Sequence, residues 1–150
     1  IPVLLYDPVH RAIGAAHSGW RGTDSMISKK TVMEMCRLFG SHPGDIRAVI
    51  GPGIGYDSFQ VGEEVALTFK ESGFPIDRIW SFRGARKEGV MEGGHHLDLK
   101  GCGRCSLIEG GVADGNISVS DIDTYTDGRF YSARREGISC GRNINAIMLV

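Results

Sequence analysis

The sequence predicts a layered fold of the α/β or α+β kind. Three observations carry this. Short apolar runs with strand character alternate with helix-like runs along all 150 residues. Residues 23–39 hold apolar side chains at three- and four-residue spacing, the period of one helix face. Glycine-rich stretches follow strand-like runs, where a chain leaving a sheet must turn. The length is that of one domain, so residues 1–150 are expected to form a single unit with a real core.

Residues 3–6 read as a strand that stops at the turn pair Asp7-Pro8, and residues 11–16 return as a second strand, predicting a hairpin. Thr23 or Asp24 can N-cap a helix running to about Phe39, with Ile27, Val32, Met35, Cys36 and Leu38 on its apolar side and Gly40 ending it. Residues 46–50 form a third strand that runs into the loop Gly51-Pro52-Gly53-Ile54-Gly55. Val61, Val65 and Phe69 mark a second helix, with Glu63 and Glu64 in its first turn, where the helix dipole favours acids. Residues 76–82 read as a strand, and residues 83–94, polar and rich in glycine, as a mobile segment. Asp98 can N-cap a third helix to about Glu109, weakened by Gly101 and Gly103. Residues 117–122 and 143–150 read as the last strands, the latter apolar enough for a central, buried position. The chain opens inside an apolar run, Ile1-Pro2-Val3-Leu4-Leu5-Tyr6, so it is expected to be the C-terminal part of a longer protein.

Composition narrows the function classes. Seventeen basic residues against 18 acidic ones leave a net charge of −1, which argues against a nucleic-acid partner. No apolar run approaches the roughly 20 residues of a membrane span. Four cysteines (Cys36, Cys102, Cys105, Cys140) do not make a disulfide framework in a chain of this size, and a reducing cytoplasm is the expected compartment. The 22 glycines are about twice the usual share and point to tight turns and close backbone approaches.

The chemistry concentrates in Ala16-His17-Ser18-Gly19-Trp20-Arg21-Gly22-Thr23, at a strand-to-helix turn. His17 is a potential metal ligand or base, Trp20 a stacking face and Arg21 an anion clamp. A lone histidine at a strand end is commonly structural, but these neighbours favour a ligand pocket. The Gly51–Gly55 loop lacks the Lys-Ser/Thr of a phosphate-binding P-loop and is read as a tight active-site or structural loop. Cys102-Gly103-Arg104-Cys105 has zinc-knuckle spacing, yet only His95-His96 lies near it, and an incidental helical pair is the plainer reading. Tyr131, Arg134, Arg135 and Arg142 gather near the C-terminus, readable equally as a solvated basic face or as a phosphate site.

Together these stretches resemble the YfiH family of laccase-domain proteins, also called multicopper polyphenol oxidoreductases. The likeness runs nearly end to end. It includes His17-Ser18-Gly19-Trp20-Arg21-Gly22-Thr23, Ile50-Gly51-Pro52-Gly53-Ile54, Phe59-Gln60-Val61-Gly62, Leu97-Asp98-Leu99, Thr124-Tyr125-Thr126, Phe130-Tyr131-Ser132 and Gly141-Arg142. The resemblance implies helices outside two packed mixed sheets (an α/β/β/α layering), with the N-terminal part of the domain missing. It implies a metal, zinc with copper as the alternative, held by two histidines and a cysteine. His17 matches the second histidine, and the other two ligands would precede residue 1, the cysteine immediately before Ile1.

The resemblance further implies phosphorolysis of purine nucleosides or deamination of adenosine, with a small-molecule nucleoside and phosphate as partners. His17, Arg21 and Arg134 are then expected to be catalytic, and Trp20, Tyr131 and Arg135 to bind substrate, all converging on one cleft. Phenol oxidation and editing of peptidoglycan precursors are enzymatic alternatives, and a catalytically silent metal-binding or interaction domain is one of another class. Five histidines are few for several coppers. The chain departs from the family pattern at Lys100-Gly101-Cys102-Gly103, at Asp123 and at Cys140, departures that bear on substrate preference.

Overall fold

The computed structural model describes residues 1–87 and 90–150. Strands β1 (Pro2–Asp7) and β2 (Ala12–His17) form the expected hairpin. Helix α1 (Trp20–Asp24) and helix α2 (Ile27–Phe39) follow, then β3 (Arg47–Ile50), β4 (Gln60–Val61) and α3 (Glu63–Glu71). A single turn, α4 (Ile76–Ile79), leads into the paired strands β5 (Trp80–Lys87) and β6 (Val90–Leu97). Helix α5 (Leu99–Glu109), strand β7 (Ile117–Val119) and the short helix α6 (Ala133–Glu136) complete the chain.

The fold is mixed α+β with two sheets. The first has the order β2-β1-β3-β7, so β1 is an inner strand; β1 runs antiparallel to both neighbours, while β3 and β7 are parallel. The second, β4-β6-β5, is antiparallel throughout. Alternation along β1 buries Val3, Leu5 and Asp7 on one face, against Val32 and Met35 of α2 and Leu107 of α5. A second cluster joins Phe59, Phe69, Phe74, Ile79 and Leu97 to Leu99 and Cys102. Helix α5 thus contributes to both clusters and ties the sheets together.

Four expectations are corrected. The helix expected from Thr23 begins at Trp20 and breaks at Met26, which takes a left-handed conformation (φ 57°). Thr23 is not a cap: its hydroxyl donates to the Gly19 carbonyl one turn back and meets the buried Ser18 hydroxyl. The expected strand at 76–82 is a helical turn as far as Ile79, because Pro75 presets a helix-compatible φ at its start; the strand begins only at Trp80. The expected mobile segment at 83–94 is occupied by β5 and β6, apart from residues 88 and 89, which lie outside the described residues. Residues 143–150 form no strand and are mostly exposed, with Ile144 92% and Val150 97% accessible. An apolar sequence becomes a strand only beside an open edge in register, and this segment is held by side chains instead: Arg11 bonds the Val150 carbonyl, and the Asn143 amide pairs with Tyr131.

Candidate active site

His17 ends β2 opposite Pro2, and the Ser18 amide donates to the Ile1 carbonyl at 2.7 Å. Gly19 caps α1 and leaves room for the imidazole, since a Cβ there would lie 3.3 Å from His17 Nε2. Gly51 and Gly53 answer to the same end of β1: side chains there would strike Pro2 at 2.7 Å and Ile1 at 2.5 Å. The glycine loop is therefore packed onto the first residues, beside His17.

A cavity of about 400 Å³ lies over this junction, with His17, Trp20, Tyr131 and Arg134 among its walls. Four of the six predicted site residues thus meet there. Arg21 does not line it; its guanidinium stacks on the Trp20 ring, 4.3 Å from the centroid. Arg135 does not line it either. Its Nη1 donates to the carbonyls of Thr124 (3.0 Å), Tyr125 (2.8 Å) and Asp127 (3.3 Å), and its Nη2 to Phe130 (2.6 Å). This guanidinium holds the loop that carries Thr124 into the cleft wall. Arg134, one residue earlier on α6, turns the other way, over the Phe59 ring, and bonds the Gln60 carbonyl at 2.7 Å.

The cleft also contains Arg142 and Asn143. Arg142 lay within the sequence cluster; Asn143 did not, and no local signal marks it. Its amide reads the Tyr131 backbone as a strand neighbour would, accepting from the amide at 3.0 Å and donating to the carbonyl at 2.8 Å. Gly141 lies against the Tyr131 ring, which a Cβ would approach to 2.5 Å.

A second cavity, about 730 Å³, adjoins the first and shares Trp20, Phe59 and Arg134 with it. Phe82 and His95 form another part of its wall. Of this wall the sequence had marked Trp20, Arg134, the Phe59–Gly62 stretch and the His95-His96 pair.

Comparison with known proteins now bears on this geometry. The family described as multi-copper polyphenol oxidoreductase laccase matches residues 1–150. The chain belongs to this laccase-like family. It is 43% identical over 150 residues to a purine nucleoside phosphorylase of Bacteroides thetaiotaomicron, covering 99% of this chain and 53% of that protein. It is 36% identical over 148 residues to adenosine deaminase RL5 of an unknown prokaryotic organism, covering 98% and 54%. The crystal structure of the hypothetical protein YfiH of Bacillus licheniformis superposes with a TM-score of 0.80 at 37% identity, over 91% of this chain and 49% of that one. The chain spans about half the length of the relatives it matches.

The family points to a metal. Among the described residues no three His, Cys, Asp or Glu side chains converge. A catalytic zinc takes three protein ligands, and among the described histidines only His17 lines the cleft. The other histidines are placed elsewhere: His10 on Asp7, His42 at a turn start, His95 on Trp80 and His96 beside the Tyr56 carbonyl. Cys102 is buried in the core, and burial pushes its thiol well above the ordinary range; burial also raises Cys105.

Proposed function

We propose that this chain carries the greater part of a purine nucleoside phosphorylase site, in which the two joined cavities take nucleoside and phosphate. One observation carries the reading. Arg134 borders both cavities, so one guanidinium faces the place where an anionic nucleophile and an aromatic leaving group would meet. The relatives that bear the phosphorylase name support it.

In phosphorolysis a phosphate oxygen bonds to the sugar C1′ as the bond from C1′ to the base nitrogen breaks. The base leaves with the electron pair and gains a proton from solvent; the products are the free base and a ribose 1-phosphate. The state between carries positive charge on the sugar and negative charge on phosphate and base. Arg134 supplies the cation for phosphate, and Trp20 and Tyr131 supply ring faces for sugar or base. His17 provides the imidazole at the cleft, for hydrogen bonding to the nucleophile or for a metal completed by ligands from elsewhere. The adenosine deaminase activity named for one relative is a second outcome to be measured on the same site.

The test incubates the intact protein with inosine and adenosine, with and without phosphate, and follows the products by chromatography, alongside metal analysis. Phosphate-dependent release of hypoxanthine or adenine is expected, lost in His17→Ala and reduced about 100-fold in Arg134→Ala. Absence of base release from a folded protein overturns the reading, and inosine formation from adenosine without phosphate replaces it with deamination.

A further inference from the structure

The larger cavity holds a histidine whose hydrogen-bonding state is set by its neighbour. Trp80 Nε1–H donates to His95 Nδ1 at 3.1 Å. An indole nitrogen can only donate, so Nδ1 must accept, and the ring proton resides on Nε2. The two rings are nearly parallel, 10° apart, with centroids at 5.4 Å, and Phe82 meets His95 edge-on at 5.1 Å and 74°. The register of β5 and β6 explains the grouping. Phe82 lies directly opposite His95, and Trp80, two residues before Phe82, shares its face. Trp80 is outside the cavity wall and occupies Nδ1, which leaves Nε2–H as the donor for the cavity.

The rest of the cavity suits a flat heteroaromatic ligand. Trp20 and Phe59 add ring surface, and Gly93 and Gly94 contribute backbone to the wall. Its volume of about 730 Å³ falls in the range of small-molecule sites. Rings that accept stacking need a polar group to fix which ligand edge faces inward, and His95 supplies a donor of defined position.

We propose that this cavity is the base-recognition subsite, with His95 Nε2–H donating to an acceptor nitrogen on the edge of a purine. The proposal rests on the nucleoside reading above and adds the residue that selects the base. Trp80 is its positioning residue, acting through the histidine tautomer.

The test titrates inosine and uridine into the intact protein calorimetrically, without phosphate, for the wild type, His95→Ala and His95→Gln. It then measures kcat and KM for inosine phosphorolysis. His95→Ala is expected to weaken inosine binding about tenfold and to raise KM more than it lowers kcat. His95→Gln, which retains an N–H near the Nε2 position, is expected to recover most of the loss. Uridine is expected to bind weakly in every variant. Should His95→Ala not fold, His95→Gln against His95→Leu makes the same comparison. Undiminished inosine binding without the histidine donor overturns the proposal, as does a folded His95→Gln no better than alanine. If His95→Ala weakens binding while no variant turns inosine over, the phosphorylase reading fails and the base subsite stands. If turnover is present and insensitive to His95, the subsite alone fails. A wild type that binds no purine nucleoside overturns both.

Discussion

The Lys100 ammonium donates to the Ile122 carbonyl at 2.7 Å, and a second bond runs to Ser120 at 2.8 Å. Lys100 is only 8% exposed. Burial pushes its pKa down, and the carboxylates of Asp123, Asp98 and Asp121 pull it back up. One turn of α5 thereby fastens the segment leading to Asp123, which accepts the Ser58 hydroxyl at 2.5 Å and bridges to Gly53 of the glycine loop. The next residue, Thr124, lines the cleft.

Replacing this donor should loosen both stability and the site. Lys100→Met keeps the aliphatic stem but leaves the Ser120 carbonyl without its Lys100 donor and the Ile122 carbonyl with only the long bond from the Gly53 amide (3.5 Å), at a cost of about 2 kcal/mol. Urea unfolding should show a lower midpoint at unchanged slope, and nucleoside affinity should fall with it. A variant as stable as the wild type would remove Lys100 from this role.

The adjacent arginines should separate cleanly. Arg135→Ala should lower Tm by several degrees, because the carbonyls of Thr124, Tyr125 and Phe130 lose a shared donor. Lysine should not rescue it, since one ammonium cannot span that fan of acceptors. Arg134→Ala should cost little stability, its ring contact and single carbonyl bond being exposed, but should abolish most turnover. Thermal melts and steady-state rates on the pair decide this. Equal effects of the two substitutions would place both arginines in one role.

Asp7 provides a pH signature. Burial pushes its carboxyl up, but the neighbouring Ser41 hydroxyl, the His10 and Val9 amides and the His10 ring outweigh burial and hold it at about 2, below the ordinary 3.8. A carboxylate depressed on folding stabilises the fold above its unfolded pKa. That stability is lost as pH falls through about 4 towards 2, on the order of 2 kcal/mol in full. Unfolding measured between pH 6 and pH 2.5 should show this slope in the wild type and a flatter one in Asp7→Asn.

The strands at both sides of the first turn, the long helix ending at Gly40 and the helix capped by Asp98 were legible, because each depends on local spacing and one capping residue. Of the stretch from His17 to Thr23, the first four residues, His17 to Trp20, reach the cleft together because they are neighbours in sequence, whereas Arg21 turns onto the Trp20 ring. Residues 143–150 misled because strand character depends on a partner edge that composition does not reveal.

What the sequence determined by itself, then, was the order of elements and the residue types available to the cleft. Period, caps and turn glycines act over a few residues, within reach of backbone sterics. Only the tertiary structure decided how those residues are used. Arg135 is consumed by carbonyls up to 11 residues away, while Arg134 remains at the cavities. His95 acquires its donor from Trp80, 15 residues distant across a hairpin. A hydrogen bond is assigned by which groups folding brings within 3 Å, and for groups far apart in the chain that distance is set by the packing of the whole core.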